Sequence, residues 1–322
     1  MPVVPALMSI GDSLFNGVRS LTINEPLARM SAPRMIAHRM GWTFDHPAYP
    51  REVLFNMEDF LRGVRLGESP STIQSRLLGI IRSNARAWWP RGGAHNGAWI
   101  RKKDFHNIAI AQSTVADLYT ATAKKQKARI ENLISAIENS ASLDITTISS
   151  LYFSINSSFV LNPSGAADLD DLSAIDMVCL RKPKRLLISA GANNGCLDAI
   201  FSCRYGKADA DKIKGLADEF EELGKRLNSV DPTGSVSEVY VASLPKPRTV
   251  ANLVSKTYGE VVRCRYFQRY VSDLPLPGSY GTDGETIKKF DDDALAANQE
   301  IKNTLSRVFR GKRSIEMIDL YR

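Results

Sequence analysis

Three residues of the sequence, Ser13, Gln112 and Asn193, are suited by type and position to acyl transfer. A serine hydroxyl can attack a carbonyl carbon, and N–H donors beside it can hold the oxyanion that develops. Each of the three follows a short apolar run. If these runs are strands of one parallel sheet, their carboxyl ends bring the three residues to the same edge. The sequence therefore predicts a site for acyl transfer at that edge.

Five apolar runs predict the strands that would position these residues. Short runs bounded by glycine, proline or polar residues are typical of buried strands. The runs lie near residues 6–10, 107–111, 185–190, 238–244 and 315–320. Helical segments separate them, and this alternation predicts an α/β fold with a parallel sheet and helices on both faces. In the flavodoxin-like strand order the second run lies at an edge of the sheet, beside the first.

Prolines and glycines mark where the predicted helices break. Residues 14–40 are predicted to be largely helical, with breaks at Pro26 and Pro33, and a further helix is predicted through Leu118 and Ile137. Residues 142–170 are rich in serine and asparagine and contain only a few strand-like pairs. We interpret them as a functional loop or as a misread element. The aromatic, glycine-rich segment from Trp88 onward is interpreted as a lid or as a buried connection.

Three sequence blocks resemble those of the GDSL, or SGNH, hydrolases. The first is Gly11-Asp12-Ser13-Leu14, within a wider match over residues 9–17. Residues 107–118 resemble the second block, and Gly191-Ala192-Asn193-Asn194 resembles the third, usually written Gly-x-Asn-Asp. Taken alone, the first block is equally typical of a helix cap. Three blocks in order, each after a predicted strand, are more specific.

The resemblance implies a three-layer, flavodoxin-like fold with five parallel strands. It also implies that Ser13 is the nucleophile of an esterase or lipase-like enzyme and that Asp12 orients the turn. The implied oxyanion hole consists of the backbone N–H of Ser13, the backbone N–H of Gln112 and the side chain of Asn193. Gly11, Gly191 and Asn194 would support the site. The implied substrate is a small ester, and neither a cofactor nor a metal is expected.

Two positions depart from the family pattern. Gln112 stands where the second block usually has glycine, although a backbone N–H survives any residue except proline. Asn194 stands where the third block usually has aspartate, and it keeps the size and one acceptor of that residue.

The catalytic base of the family is a third departure, because its Asp-x-x-His block after the fifth strand is not found here. The four histidines, His38, His46, His95 and His106, all lie in the first third of the sequence. We therefore expect the base beyond Arg322, on a C-terminal segment or on a second polypeptide. The 322-residue chain alone is then expected to have little activity, because serine needs an adjacent base. His46 and His95 lie in loops and are candidates for a substitute base.

Two further functions compete with the hydrolase. A fold of this kind that has lost its base would be a catalytically inactive ligand-binding module. A flavodoxin-like nucleotide binder is the other alternative, but the turn after the first strand has neither the glycines nor the lysine of a P-loop.

Length and composition are those of a globular protein. The 322 residues carry a net charge of +7 and 43% hydrophobic residues, with no nucleic-acid motif among the scattered basic residues. We predict one elaborated α/β domain over residues 1–322, with long insertions around 44–105 and 140–180. Neither a signal peptide nor a membrane span is recognised, so a cytoplasmic location is expected. The four cysteines match no zinc pattern and are expected to be free thiols.

Overall fold

A five-stranded parallel sheet is the central element of the protein. The computed structural model describes residues 4–90, 99–100, 104–142, 144–202, 205–247, 267–268, 271–272 and 285–320. The sheet strands are β1 (Leu7–Gly11), β2 (Asn107–Ala109), β3 (Arg185–Ser189), β4 (Glu238–Ala242) and β7 (Ser314–Ile318). Their order is β2-β1-β3-β4-β7, and helices flank the sheet. Two short strands, β5 (Phe267–Gln268) and β6 (Val271–Ser272), form a separate antiparallel pair.

The predicted fold class is confirmed. All five predicted strands are present, all of them run parallel, and β2 lies at an edge with β1 beside it. The arrangement is consistent with a flavodoxin-like, three-layer architecture. The second strand is shorter than predicted, because the chain leaves the ladder after Ala109 and turns at residues 111–112.

The chain divides into two compact units, which we describe separately. The first comprises Met1–Ser113 and Asp117–Lys184, and the second comprises Thr114–Ala116 and Arg185–Arg322. The prediction of one elaborated domain stays a prediction.

The first unit contains β1, β2 and nine α-helices within its described residues. The helices are α1 (Ser13–Asn16), α2 (Glu25–Arg29), α3 (Ala32–Arg39), α4 (Met57–Arg62), α5 (Pro70–Trp88), α6 (Asp117–Thr120), α7 (Ala123–Asn139), α8 (Ile145–Leu161) and α9 (Ala174–Arg181). Strand β1 is buried along its whole length. Its Ser9 lies opposite Asn107 of β2, and the Ser9 hydroxyl donates to the Asn107 side chain over 2.9 Å. This buried bond fixes the register of the two strands.

The second unit contains the remaining strands and four α-helices within its described residues. The helices are α10 (Leu197–Ser202), α11 (Lys207–Lys214), α12 (Leu216–Val230) and α13 (Glu285–Val308). A π-helical turn, Ala192–Cys196, precedes α10. Strands β3 and β4 pair in parallel, as do β4 and β7. Helices α12 and α13 pack against each other through apolar side chains that include Leu223, Leu227 and Leu305.

Several predicted helices have different bounds in the structure. The prediction of a largely helical segment over residues 14–40 was wrong, because this segment forms three short helices. Pro26 and Pro33 lie in the first turns of α2 and α3, where proline lacks no needed hydrogen bond, so they begin helices instead of breaking them. The helix through Leu118 and Ile137 is split by Thr122, which caps α7 with its side chain.

Residues 142–170 are mostly helical, which confirms the second of the two interpretations, a misread element, over the functional loop. Helix α8 is buried on nearly every side in its second half, and serine and asparagine are among its buried residues. Because apolar and polar positions are both buried, the sequence lacks the one-sided period that marks a surface helix. Phe159 of α8 packs against Trp88, which is 1% exposed. Trp88 is therefore a buried residue at the end of α5. The glycine-rich residues after it lie outside the described ranges, so the choice between a lid and a buried connection stays a prediction.

The sequence prediction of no membrane-spanning segment agrees with the structure as far as it is described. Within the described ranges, no helix is both long and apolar enough to cross a bilayer. Cys179 and Cys196 are free thiols, and Cys203 and Cys264 lie outside those ranges. Burial raises the pKa of Cys196 to about 12, so this thiol is protonated at neutral pH and is a poor nucleophile.

Candidate functional site

The turn between β1 and α1 carries Ser13. Gly11 has a φ of 141°, which residues with a side chain rarely adopt. Asp12 is 1% exposed and caps α1, since its Oδ1 accepts a hydrogen bond from the Leu14 N–H over 3.1 Å. The cap holds the chain so that Ser13 is the first residue of the helix. The local backbone therefore explains the glycine at residue 11 and the capping aspartate at residue 12, and together they position Ser13 at the start of α1.

Ser13 offers both a hydroxyl and a backbone N–H. Ser13 is half-buried. Neither its hydroxyl nor its N–H makes a hydrogen bond to any residue that the structure describes. The main-chain carbonyl of Ser13, by contrast, accepts from the Gly17 N–H over 3.3 Å. A hydroxyl and an N–H at the start of a helix are thus available to a ligand.

Gln112 lies just beyond the end of the neighbouring strand β2. Its φ is 72°, in the left-handed region, which costs a residue with a side chain about 1–2 kcal/mol. Strain of this kind concentrates at functional sites. The Gln112 N–H makes no hydrogen bond to any described residue. The resemblance expects glycine at this position, and glycine adopts a left-handed backbone without strain.

The Gln112 side chain borders a pocket. Its Oε1 accepts from the Ser149 hydroxyl of α8 over 3.0 Å, and this bond fixes the side chain against the helix. The pocket has a volume of about 200 Å³. The residues that line it are five polar or charged residues and one aromatic residue, namely Gln112, Asp117, Arg129, Ser149, Ser150 and Phe153. A small polar group fits such a space better than a long acyl chain does.

None of the described histidines serves Ser13 as a base. The Nε2 of His46 lies 3.2 Å from a carboxylate oxygen of Glu25, and the Nδ1 of His106 accepts from the Asp45 N–H over 3.1 Å. His38 is exposed on α3. None of the three makes a hydrogen bond to Ser13, and His95 lies outside the described residues.

The third block lies in the second unit, after β3. Gly191 has a φ of 104°, and a Cβ there would lie 3.0 Å from a methyl carbon of Leu244. Glycine therefore suits this position for both its backbone and its lack of a side chain. Asn193 is half-buried in the π-helical turn that follows. The expected meeting of its amide with Ser13 involves both units and stays a prediction.

Asn194 bridges two segments of the second unit. Its Oδ1 accepts from the Val115 N–H over 3.1 Å, and its Nδ2 donates to a carboxylate oxygen of Glu219 over 2.7 Å. The second bond requires a donor at residue 194, and a carboxylate has none. This contact explains the departure from the aspartate that the resemblance expects.

Asn16 is a site residue that the sequence interpretation did not single out. It lies three residues after Ser13 in α1, is fully buried, and its Nδ2 donates to the Ala109 carbonyl over 2.7 Å. The same nitrogen donates to the Tyr49 hydroxyl over 3.0 Å. The only signal in the sequence was its place within the wider match over residues 9–17, because an isolated asparagine has no period or spacing of its own.

Comparisons with protein-family models, with curated proteins and with solved structures found no match. The resemblance to the GDSL hydrolases therefore depends on the three blocks and on the local geometry described above.

Proposed function

We propose that the protein is a serine hydrolase that acts on a small ester, with Ser13 as its nucleophile. One observation carries this proposal. The Ser13 hydroxyl, the Ser13 N–H and the Gln112 N–H follow the carboxyl ends of two neighbouring strands, and none of them has a hydrogen-bond partner among the described residues. A nucleophile with two backbone donors beside it is the minimum equipment for acyl transfer.

In the proposed reaction the Ser13 oxygen attacks the ester carbonyl and the alcohol leaves, which forms an acyl-serine that water then hydrolyses. The two N–H groups stabilise the oxyanion in both steps. One such donor is worth roughly a hundredfold or more in rate. A general base, which is a histidine in the family that the chain resembles, accepts the serine proton and passes it to the leaving alcohol.

A cysteine at residue 13 tests this geometry without the base. A thiol at neutral pH is a few per cent thiolate and reacts without a partner. We expect p-nitrophenyl acetate to acylate Ser13→Cys roughly tenfold faster than Ser83→Cys, measured as a burst of p-nitrophenolate. Ser83 is exposed on α5 and supplies a thiol without an oxyanion hole. Ser13→Ala measures the contribution of the native cysteines.

Equal rates for the two introduced thiols, after correction for the fraction of each that is thiolate, would contradict the proposal. That result would favour the second candidate, a ligand-binding module built on the same fold. One observation favours this alternative, namely that none of the described histidines hydrogen-bonds to Ser13. A module of this kind binds small polar molecules without turnover.

A further inference from the structure

A buried polar chain lies beside the helix that carries Ser13. Asn16 of α1 donates to the Tyr49 hydroxyl over 3.0 Å, and that hydroxyl donates to Oδ1 of Asn156 in α8 over 2.7 Å. All three residues are buried, with Asn16 and Asn156 0% exposed and Tyr49 4% exposed. The chain links α1, the segment around Tyr49 and α8 within the first unit.

Asn16 also links the two segments that carry the proposed oxyanion donors. Its Nδ2 donates to the carbonyl of Ala109, the last residue of β2, over 2.7 Å. Asn16 lies three residues after Ser13, and Ala109 lies three residues before Gln112. A second bond, from Asn107 to the Phe15 carbonyl over 2.8 Å, joins the same elements further from Gln112.

The Tyr49 hydroxyl is well suited to hold Asn16. Burial raises the pKa of Tyr49 above its ordinary value, although the hydrogen bond from Asn16 opposes this shift. The hydroxyl is therefore neutral across the physiological range, and it can accept from Asn16 while it donates to Asn156. Two hydrogen bonds therefore hold the Asn16 Nδ2, one to the Tyr49 hydroxyl and one to the Ala109 carbonyl.

The cluster is costly for folding. Two buried atoms in it, Asn16 Oδ1 and Asn156 Nδ2, have no partner among the described residues. Burying a polar group without a hydrogen bond lowers the stability of the fold. Apolar residues would fill this space at a lower cost in folding free energy. Buried polar atoms without partners are expected near functional sites, where stability is given up for function.

We propose that Asn16 is a positioning residue, held by Tyr49, which sets the spacing between the N–H of Ser13 and the N–H of Gln112. This inference rests on the proposed function. Without the Asn16 amide, α1 loses its bond to the last residue of β2. The bond from the Ile110 N–H to the Gly11 carbonyl over 2.8 Å, which lies closer to both donors, remains. A displacement of about 1 Å between reacting groups can cost a hundredfold in rate.

Acylation of the cysteine variant measures this role. Adding Asn16→Ala to Ser13→Cys is expected to slow the p-nitrophenyl acetate burst roughly tenfold or more. Asn162→Ala is the matched control, because Asn162 is also 0% exposed and its Nδ2 donates to a backbone carbonyl, that of Ala166. It should lower the stability in urea without slowing the burst. Tyr49→Phe removes only the hydroxyl, is milder for folding, and should slow the burst by a smaller factor.

Amide resonances of Ser13 and Gln112 give a second readout that needs no activity. Both should shift in Asn16→Ala and in Tyr49→Phe, and neither should shift in Asn162→Ala. Unchanged resonances, or shifts with an unchanged burst rate, would contradict the positioning role. If Ser13→Cys itself reacts no faster than Ser83→Cys, the proposed function fails, and the resonances alone decide whether Asn16 sets the spacing.

Discussion

Single residues carry most of what distinguishes this site. Gln112 adopts a backbone conformation that favours glycine, and its side chain uses the position to reach Ser149. The sequence predicted the position of this donor but not the contact, because side-chain partners depend on helix α8, which the sequence did not indicate as a helix. The strain at Gln112 is thus offset in part by one hydrogen bond to a neighbouring element.

Asn194 gives a prediction about a single atom. In Asn194→Asp the donor to Glu219 becomes a second carboxylate at hydrogen-bond distance, so the pair must separate or take up a proton. We expect the free energy of unfolding to fall by about 1–2 kcal/mol at pH 7. Part of this loss should be regained under mildly acidic conditions. Urea unfolding at the two pH values measures both effects.

The matched control for Asn194→Asp changes the partner as well. Adding Glu219→Gln supplies an amide donor from the other side, and it should restore most of the stability because one hydrogen bond is formed again. Glu219→Gln alone should be nearly neutral, since its carbonyl oxygen still accepts from Asn194. A stable Asn194→Asp variant at pH 7 would show that the contact with Glu219 does not determine the residue type.

At the scale of elements, most errors in the predicted helices came from where their ends were placed. Pro26 and Pro33 were interpreted as breaks, whereas the structure has them in first turns. Helix α8 was missed because its second half is buried on nearly every side, and burial on all sides removes the amphipathic period. Buried strands were predicted well, since short apolar runs bounded by turn residues have few alternatives.

The junction between α12 and β7 predicts an acid-sensitive contact. Asp231 ends α12, and its carboxylate accepts from the guanidinium of Arg313 over 2.8 Å just before β7. Burial alone would raise the pKa of Asp231, but hydrogen bonds from Ser235, Val236 and Arg313 outweigh it and lower the pKa from 3.8 to about 2. Because the pKa is lower in the folded state, the carboxylate stabilises the fold above pH 4, and this stabilisation is lost as the pH falls towards 2.

Asp231→Asn removes this titration. The difference in unfolding free energy between the native chain and the variant should shrink by about 2 kcal/mol between about pH 5 and about pH 2. Asp218→Asn is the control, because Asp218 is exposed on the same helix and its variant should show no such change. A difference for Asp231→Asn that is constant with pH would contradict the assignment. Urea unfolding monitored by circular dichroism measures it.

At the scale of the whole molecule, the sequence predicted the sheet and its order better than it predicted the site. When strands and helices alternate along a chain, few sheet topologies are possible. The flavodoxin-like order is one of them, and it predicted the edge position of β2 that the structure shows. The buried polar chain of Asn16, Tyr49 and Asn156 joins segments that are as much as 140 residues apart. No periodicity in a single sequence indicates such a chain. The turn that carries Ser13 was predictable because it is local, and the role of Ser13 stays a prediction.

Covalent labelling of Ser13 tests the central claim most directly. The 322-residue chain is incubated with a fluorophosphonate, with and without imidazole as an external base, and the modified residue is identified by mass spectrometry. The account predicts one label, on Ser13, which imidazole increases because it acts as a general base, and no label in Ser13→Ala. No label on Ser13 under either condition, or a label that persists in Ser13→Ala, would contradict it.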